Sequence, residues 1–151
     1  MIPVRPFESF LRDGVVRRQH ADLPRARSLR DEAERRHRFL GEQLRKIGIS
    51  DENANYFVEQ AYDTLMGLLR ARMLCDGLKA AGAFAHEAEI AYLRTLGFSD
   101  PDVHAANELR YFRNGILYYG KQVNAEYARS VLAFLEQMRP RLLQLLELPL
   151  R

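Results

Sequence analysis

The sequence has few of the residues that build covalent or metal cross-links: one cysteine, Cys75, and four histidines in 151 residues. A single cysteine permits no internal disulfide bond, and so few cysteines and histidines argue against a structural zinc cluster. We therefore expect a reducing, cytoplasmic location. Cys75 itself is predicted to be a packed small residue within a helix.

Long apolar runs are also missing. The first ten residues contain Pro3, Pro6 and Glu8, whereas a secretory signal peptide requires a continuous apolar stretch. The most apolar segment, residues 65–74, is interrupted by Arg70 and Arg72. We therefore predict neither a leader peptide nor a membrane span.

Disorder is excluded by composition, because only six prolines and nine glycines accompany 47% hydrophobic residues. The net charge is +3, but residues 1–50 carry 12 Lys and Arg against 7 Asp and Glu. Arginine outnumbers lysine by 20 to 3. Such a basic excess permits an anionic partner without requiring one.

Apolar residues recur at helical spacing along most of the chain. The fold predicted is all-α, an antiparallel, up-and-down bundle of four to five helices. No strand is predicted. The predicted helices run from Arg25 to Ile47, from a cap at Ser50 or Asp51 to Leu78, from His86 to Leu96, from a cap at Ser99 or Asp100 to Gly120, and from Asn124 onward.

Two segments of the predicted fold allow alternatives. Residues 1–24 are predicted to form an N-terminal arm or a short helix laid across the bundle of residues 25–151, with Asp22 available to cap the first long helix. Pro140 is expected to kink the last helix or to divide it after Met138.

Two histidine–carboxylate pairs stand at a spacing that metal ligands on a helix can have, His86 with Glu89 and His104 with Glu108. Each pair can share a helical face, but a catalytic zinc needs three protein ligands. His20 and His37, which lie among arginines, are expected to be solvated. With no phosphate-binding glycine loop either, we predict neither a metal nor a cofactor.

The segment 107–121 concentrates cations, amides and aromatic hydroxyls at the end of the fourth predicted helix. On a helical projection its polar residues face away from the apolar stripe of Leu109, Phe112 and Ile116. The polar residues are Asn107, Arg110 or Tyr111, Asn114 and Tyr118. This face is predicted to be a binding surface.

The same segment resembles the signature of the HEPN superfamily, in which Arg, usually followed by Asn, precedes a His by three further residues. Here Arg113 and Asn114 match, and Tyr118 occupies the His position. Residues 25–36, 55–62 and 86–88 also look like archaeal members, so the resemblance covers most of the chain from about Gly14.

The resemblance implies a helical bundle that commonly forms a homodimer, with two motif copies across a shared cleft. In active members the Arg and His cleave RNA without a metal. Tyr118 is a poor general base, since a tyrosine with a pKa near 10 is ionised in only about one molecule per thousand at neutral pH. We therefore expect binding of RNA or a nucleotide without efficient catalysis. The residues expected to bind are Arg113, Tyr118, Arg110, Asn114, Tyr119 and Lys121.

Two other interpretations stay open. One is a metal-independent endoribonuclease in which Arg113 acts with Tyr118 or Tyr119, resembling toxins restrained by a nucleotidyltransferase-type antitoxin. The other is a helical scaffold or adaptor whose motif lies only in a dimer interface, with Arg113 paired to Glu108 or Glu126.

Overall fold

The computed structural model describes residues 2–151, and over that range the chain is mostly helical, which confirms the all-α class. Six helices and two short strands follow one another along the described residues. They are α1 (Phe7–Arg12), β1 (Val16–Arg18), α2 (Leu23–Lys46), α3 (Ala54–Cys75), β2 (Leu78–Ala80), α4 (Ala85–Thr95), α5 (Asp100–Tyr119) and α6 (Ala125–Glu147).

Helix α3 forms the centre of the core. Thirteen of its 22 residues are buried, and they lie on nearly all sides of the helix. Such a helix is stable only when other elements surround it. Helices α2 and α6 pack along it most extensively, while α4 and α5 cover the remaining sides.

Charged side chains link α2 to α6. Arg139 donates two hydrogen bonds to the Glu34 carboxylate, at 2.7 and 2.6 Å. His37 Nε2 lies 2.5 Å from Glu136 Oε1. The expectation that His37 is solvated is therefore wrong, because α6 brings a carboxylate to its ring.

The N-terminal segment forms a short helix, α1, that packs on α4. Phe10 is fully buried, and the Phe7 and Tyr92 rings lie 4.7 Å apart. Arg94 Nη1 donates to the Val4 carbonyl oxygen at 3.0 Å. Of the two alternatives for residues 1–24, the helix on the bundle is the one observed within the described residues.

The prediction of no strand is wrong. Segments β1 and β2 pair antiparallel, with Val16 opposite Ala80. Helix α3 was predicted to reach Leu78 but ends at Cys75, since Gly77 takes a left-handed conformation (φ +70°) that starts β2. Strands of three residues are too short to show an alternating pattern, and their pairing joins segments far apart in the chain.

The predicted caps agree with the structure at α2 and α5, and α6 is capped by Asn124, the residue at which its start is predicted. The side chains of Asp22, Ser99 and Asn124 accept backbone hydrogen bonds at the starts of α2, α5 and α6. Helix α3 differs, because Asn53 stands at its N-cap. The Asp51 carboxylate instead accepts from the Ala125 N–H at 2.8 Å, and so it caps α6.

Pro140 lies inside α6, which runs continuously from Ala125 to Glu147. The predicted division after Met138 therefore does not occur. Within residues 2–151 no helix combines the length and the hydropathy that a membrane crossing requires.

Candidate functional site

The carboxyl end of α5 borders an open groove of about 550 Å³. The helix ends at Gly120, whose left-handed conformation (φ +63°) turns the chain back on itself. Four of the sequence-predicted residues line the groove together with Tyr111 and Phe112, namely Asn114, Tyr118, Tyr119 and Lys121.

The loop that carries Lys121 is fixed to the start of α3. Asn55 Nδ2 donates to the Lys121 carbonyl oxygen at 3.0 Å, and Asn55 Oδ1 accepts from the Val123 N–H at 2.9 Å. Gln122 Nε2 donates to the Asp51 carbonyl oxygen at 2.9 Å. Sequence analysis missed Asn55 and Asp51 because their partners lie some 70 positions away. Their contacts give the groove a fixed wall.

The tyrosines of the groove are unusually exposed. The exposed fractions are 61% for Tyr111, 70% for Tyr118 and 75% for Tyr119. Phe112 and Leu117, at the same end of α5, are exposed as well. A cluster of exposed aromatic residues is typical of a surface that binds a ligand or another macromolecule.

Arg113 points away from this groove. Its Nη2 lies 3.5 Å from Asp63 Oδ1, and its Cζ lies 5.2 Å from the centre of the Tyr62 ring. Only 17% of the side chain is exposed, and its buried Nε has no hydrogen-bond partner among the described residues. Neither Glu108 nor Glu126 is its ion-pair partner, because α3 supplies Asp63.

Helix α5 keeps most of the predicted amphipathic face, with Leu109 buried, Ile116 packed on the core and Tyr118 exposed, but two residues depart from it. Asn107, predicted on the polar surface, is 2% exposed, and its Oδ1 accepts from Arg110 Nε at 2.9 Å. Phe112, predicted in the apolar stripe, is 37% exposed, and its ring centre lies 4.8 Å from that of Tyr127 with the planes tilted by 52°. Both departures have local causes. Asn107 finds partners in Arg110 and in the Ile2 carbonyl oxygen, to which its Nδ2 donates at 3.4 Å, and the Tyr127 ring of α6 covers part of Phe112.

The predicted catalytic pair is therefore divided between two sides of α5. Arg113 contacts α3, whereas Tyr118 stands in the exposed groove. Residues five apart on a regular helix point about 140° from each other. Within one chain, these two side chains do not meet at one point.

A chain of polar side chains lies beneath α5. Arg70 donates to both Glu89 carboxylate oxygens, at 2.6 and 3.2 Å, and its Nη2 lies 3.1 Å from His86 Nε2. Because a guanidinium only donates, His86 Nε2 is the acceptor. The ring proton therefore sits on Nδ1, which donates to the Tyr62 hydroxyl oxygen at 2.9 Å.

The ionisation of these groups agrees with that arrangement. Burial, together with the charges of Arg70 and Arg113, lowers the pKa of His86 to about 4. Burial raises the pKa of Glu89, and Arg70 opposes that rise. Burial and the Glu89 charge raise the pKa of Tyr62. At neutral pH, His86 is uncharged.

The two histidine–carboxylate pairs do not form a metal site in the structure. His86 and Glu89 are both bound to Arg70, and His104 Nε2 lies 3.8 Å from Glu108 Oε2 on the surface of α5. Across residues 2–151, no group of three or more histidine, cysteine or acidic side chains is arranged to hold a metal ion.

Comparison with known proteins gave no match to the chain among models of protein families, among curated proteins or among solved structures. The resemblance to the HEPN superfamily therefore stays a prediction from the motif residues.

Proposed function

We propose that this protein binds single-stranded RNA, or its nucleotide unit, in the α5 groove. The observation that carries the proposal is that Asn114, Tyr118, Tyr119 and Lys121 line one open groove. Exposed aromatic rings beside a cation are what single-stranded nucleic acids need, because bases stack on the rings and the cation attracts the phosphates.

Each side chain has a separate task in this proposal. Tyr118 and Tyr119 present exposed rings on which bases stack. Lys121, exposed in the loop, pairs with a phosphate, and the Asn114 amide hydrogen-bonds a base edge or a ribose. Arg110 lies outside the groove and bonds Asn107, so it takes no direct part.

Efficient RNA cleavage is not part of the proposal. Arg113 is engaged by Asp63 and Tyr62, and Tyr118 stands on another side of the helix. Within one chain, the two side chains therefore do not face the same phosphate. The interpretation as a ribonuclease toxin with a nucleotidyltransferase-type partner requires such cleavage, so the geometry favours it less.

Fluorescence anisotropy with a labelled single-stranded RNA tests the binding proposal. Replacing Tyr118 or Tyr119 by alanine should weaken binding by about 1–3 kcal/mol per lost stack. Tyr56→Ala is the matched control, because Tyr56 is 66% exposed on α3 outside the groove. Equal affinities for the wild type and the groove variants would overturn the proposal.

A second candidate function, a homodimeric scaffold, is favoured by the apolar part of the same surface. Phe112 and Leu117 are 37% and 44% exposed next to the tyrosines. Aromatic residues exposed in a cluster also serve protein interfaces. Light scattering with and without RNA separates the two functions. The scaffold is supported if the wild type is a dimer that binds no RNA and if Tyr118→Ala is a monomer.

A further inference from the structure

A second cavity, with lining residues different from those of the α5 groove, lies where α2, α3, β2 and α4 meet. Its volume is about 340 Å³, in the range of small-molecule sites. Leu29, Met73, Leu74 and Leu78 form an apolar part of its lining. This part of the cavity can therefore accommodate the apolar group of a ligand.

The polar part of the lining is strongly basic. Arg25, Arg70 and Lys79 contribute three positive charges, and Glu89 contributes one negative charge. Arg70 is bound to Glu89, whereas Arg25 and Lys79 are exposed and form no ion pair with any other described residue. The cavity thus keeps a net of two positive charges.

The start of α4 adds to this field. Ala85 and His86, the first two residues of α4, line the cavity. The Ala85 N–H donates to the Gly82 carbonyl oxygen at 3.2 Å, and the N-cap Phe84 supplies no side-chain hydrogen bond to the next N–H groups. The N–H groups at a helix start carry a partial positive charge and bind anions. Here that end of the helix borders a cavity with two cations that have no ion-pair partner.

We infer that this cavity binds a small phosphate monoester, with the phosphate held between Arg25, Lys79 and the start of α4. A phosphate monoester carries a charge of about −1.5 to −2 at neutral pH, which matches the net charge of the lining. Its organic group lies on Leu29 and Met73. This site is independent of the RNA groove, since the two share no residue.

His86 gives the site an internal reporter. The ring lines the cavity and is uncharged in the free protein, with its pKa lowered to about 4. A bound dianion favours the charged imidazolium, so it raises the pKa of His86. The proton resonances of the His86 ring, followed through a pH titration, measure that change.

Isothermal titration calorimetry with phenyl phosphate tests the inference, with benzoate and phenol as comparison ligands. We expect saturable binding of phenyl phosphate, weaker binding of benzoate and none of phenol. Lys79→Ala and Arg25→Ala should each weaken phenyl phosphate binding about tenfold, the effect of one lost charged hydrogen bond. The exposed Lys46→Ala and Arg38→Ala on α2 are matched controls.

Three results would overturn the inference: no saturable binding, affinity unchanged in Lys79→Ala and Arg25→Ala, or benzoate binding as tightly as phenyl phosphate. The double variant Tyr118→Ala, Tyr119→Ala should keep its affinity for phenyl phosphate. The phosphate proposal and the RNA proposal can therefore fail independently of each other.

Discussion

Arg113 and Asp63 form an ion pair between α5 and α3, with 3.5 Å between Nη2 and Oδ1. The pair turns the arginine of the motif toward the interior, where it also lies over the Tyr62 ring. Tyr118 stays in the exposed groove. Arg113 therefore stabilises the fold, whereas Tyr118 belongs to the residues that we propose to bind RNA.

Arg113→Ala should therefore lower stability more than it lowers RNA affinity. Loss of the cation–π contact with Tyr62 and of the ion pair with the partly exposed Asp63 costs about 1–2 kcal/mol. Urea denaturation measures the free energy of unfolding, with the exposed Arg129→Ala on α6 as the control. An undiminished stability combined with lost RNA binding would show that Arg113 contacts the RNA.

The Arg70–Glu89 pair should be sensitive to the loss of one partner. The Glu89 side chain is only 6% exposed, so Arg70→Met leaves a buried carboxylate without its two hydrogen bonds. We expect a loss of up to about 3 kcal/mol, because an unpaired buried charge is costly. The double variant Arg70→Met, Glu89→Leu should recover much of it. If the double variant is less stable than Arg70→Met, the account of this pair is wrong.

His86 should make stability fall in mild acid. Its folded pKa of about 4 lies below its ordinary value of 6.5, so the unfolded chain binds the proton more tightly. The neutral ring costs the folded state nothing above pH 6.5. As the pH falls from 6.5 toward 4, the free energy of unfolding decreases. The charged groups that act on it are Arg70 and Asp63 from α3 and Arg110 and Arg113 from α5. Tyr62 shares a hydrogen bond with its ring, and Glu89 on its own helix is bound to the same Arg70.

The pH dependence is checked by unfolding wild type and His86→Gln at several pH values between 7.5 and 4.5. The variant should lose less stability over that range than the wild type, while the exposed His104→Gln should behave like the wild type. Glu89, whose pKa is raised, acts in the opposite direction and is present in all three proteins. If the free energy of unfolding changes with pH in the same way in His86→Gln and in the wild type, His86 is not held neutral in the folded protein.

Gly77→Ala should be among the most damaging small substitutions. A Cβ at Gly77 would lie 2.5 Å from the Gln19 carbonyl oxygen, and the residue has a positive φ. We expect a loss of about 2–3 kcal/mol, from steric overlap added to backbone strain. Gly14→Ala, at a similar φ of +76° but in open space, should lose only the strain. Equal melting temperatures for the two variants would refute the contact.

Much of the fold could be predicted from local sequence signals. Helical periodicity, the caps at Asp22 and Ser99, the helix start at Asn124 and the helix end at Gly120 each depend on neighbouring residues, and the structure confirms them. The strands β1 and β2 and the role of Asp51 depend on residues far away in the chain. No periodic pattern carries that information.

The candidate site shows the same division. The groove residues Asn114, Tyr118 and Tyr119 belong to one short segment, so the sequence could indicate them together. Helical spacing places Arg113 on the buried side of α5, four residues after Leu109 and three before Ile116, but its partners Asp63 and Tyr62 belong to another helix and could not be predicted.

The most direct test of the account is incubation of the protein with labelled single-stranded RNA in EDTA, with retention and cleavage read from the same samples. We predict retention without cleavage in the wild type and in Arg113→Ala, and loss of retention when Tyr118 and Tyr119 are both replaced by alanine. Metal-independent cleavage that disappears in Arg113→Ala would contradict the account, because it would require Arg113 to reach the scissile phosphate.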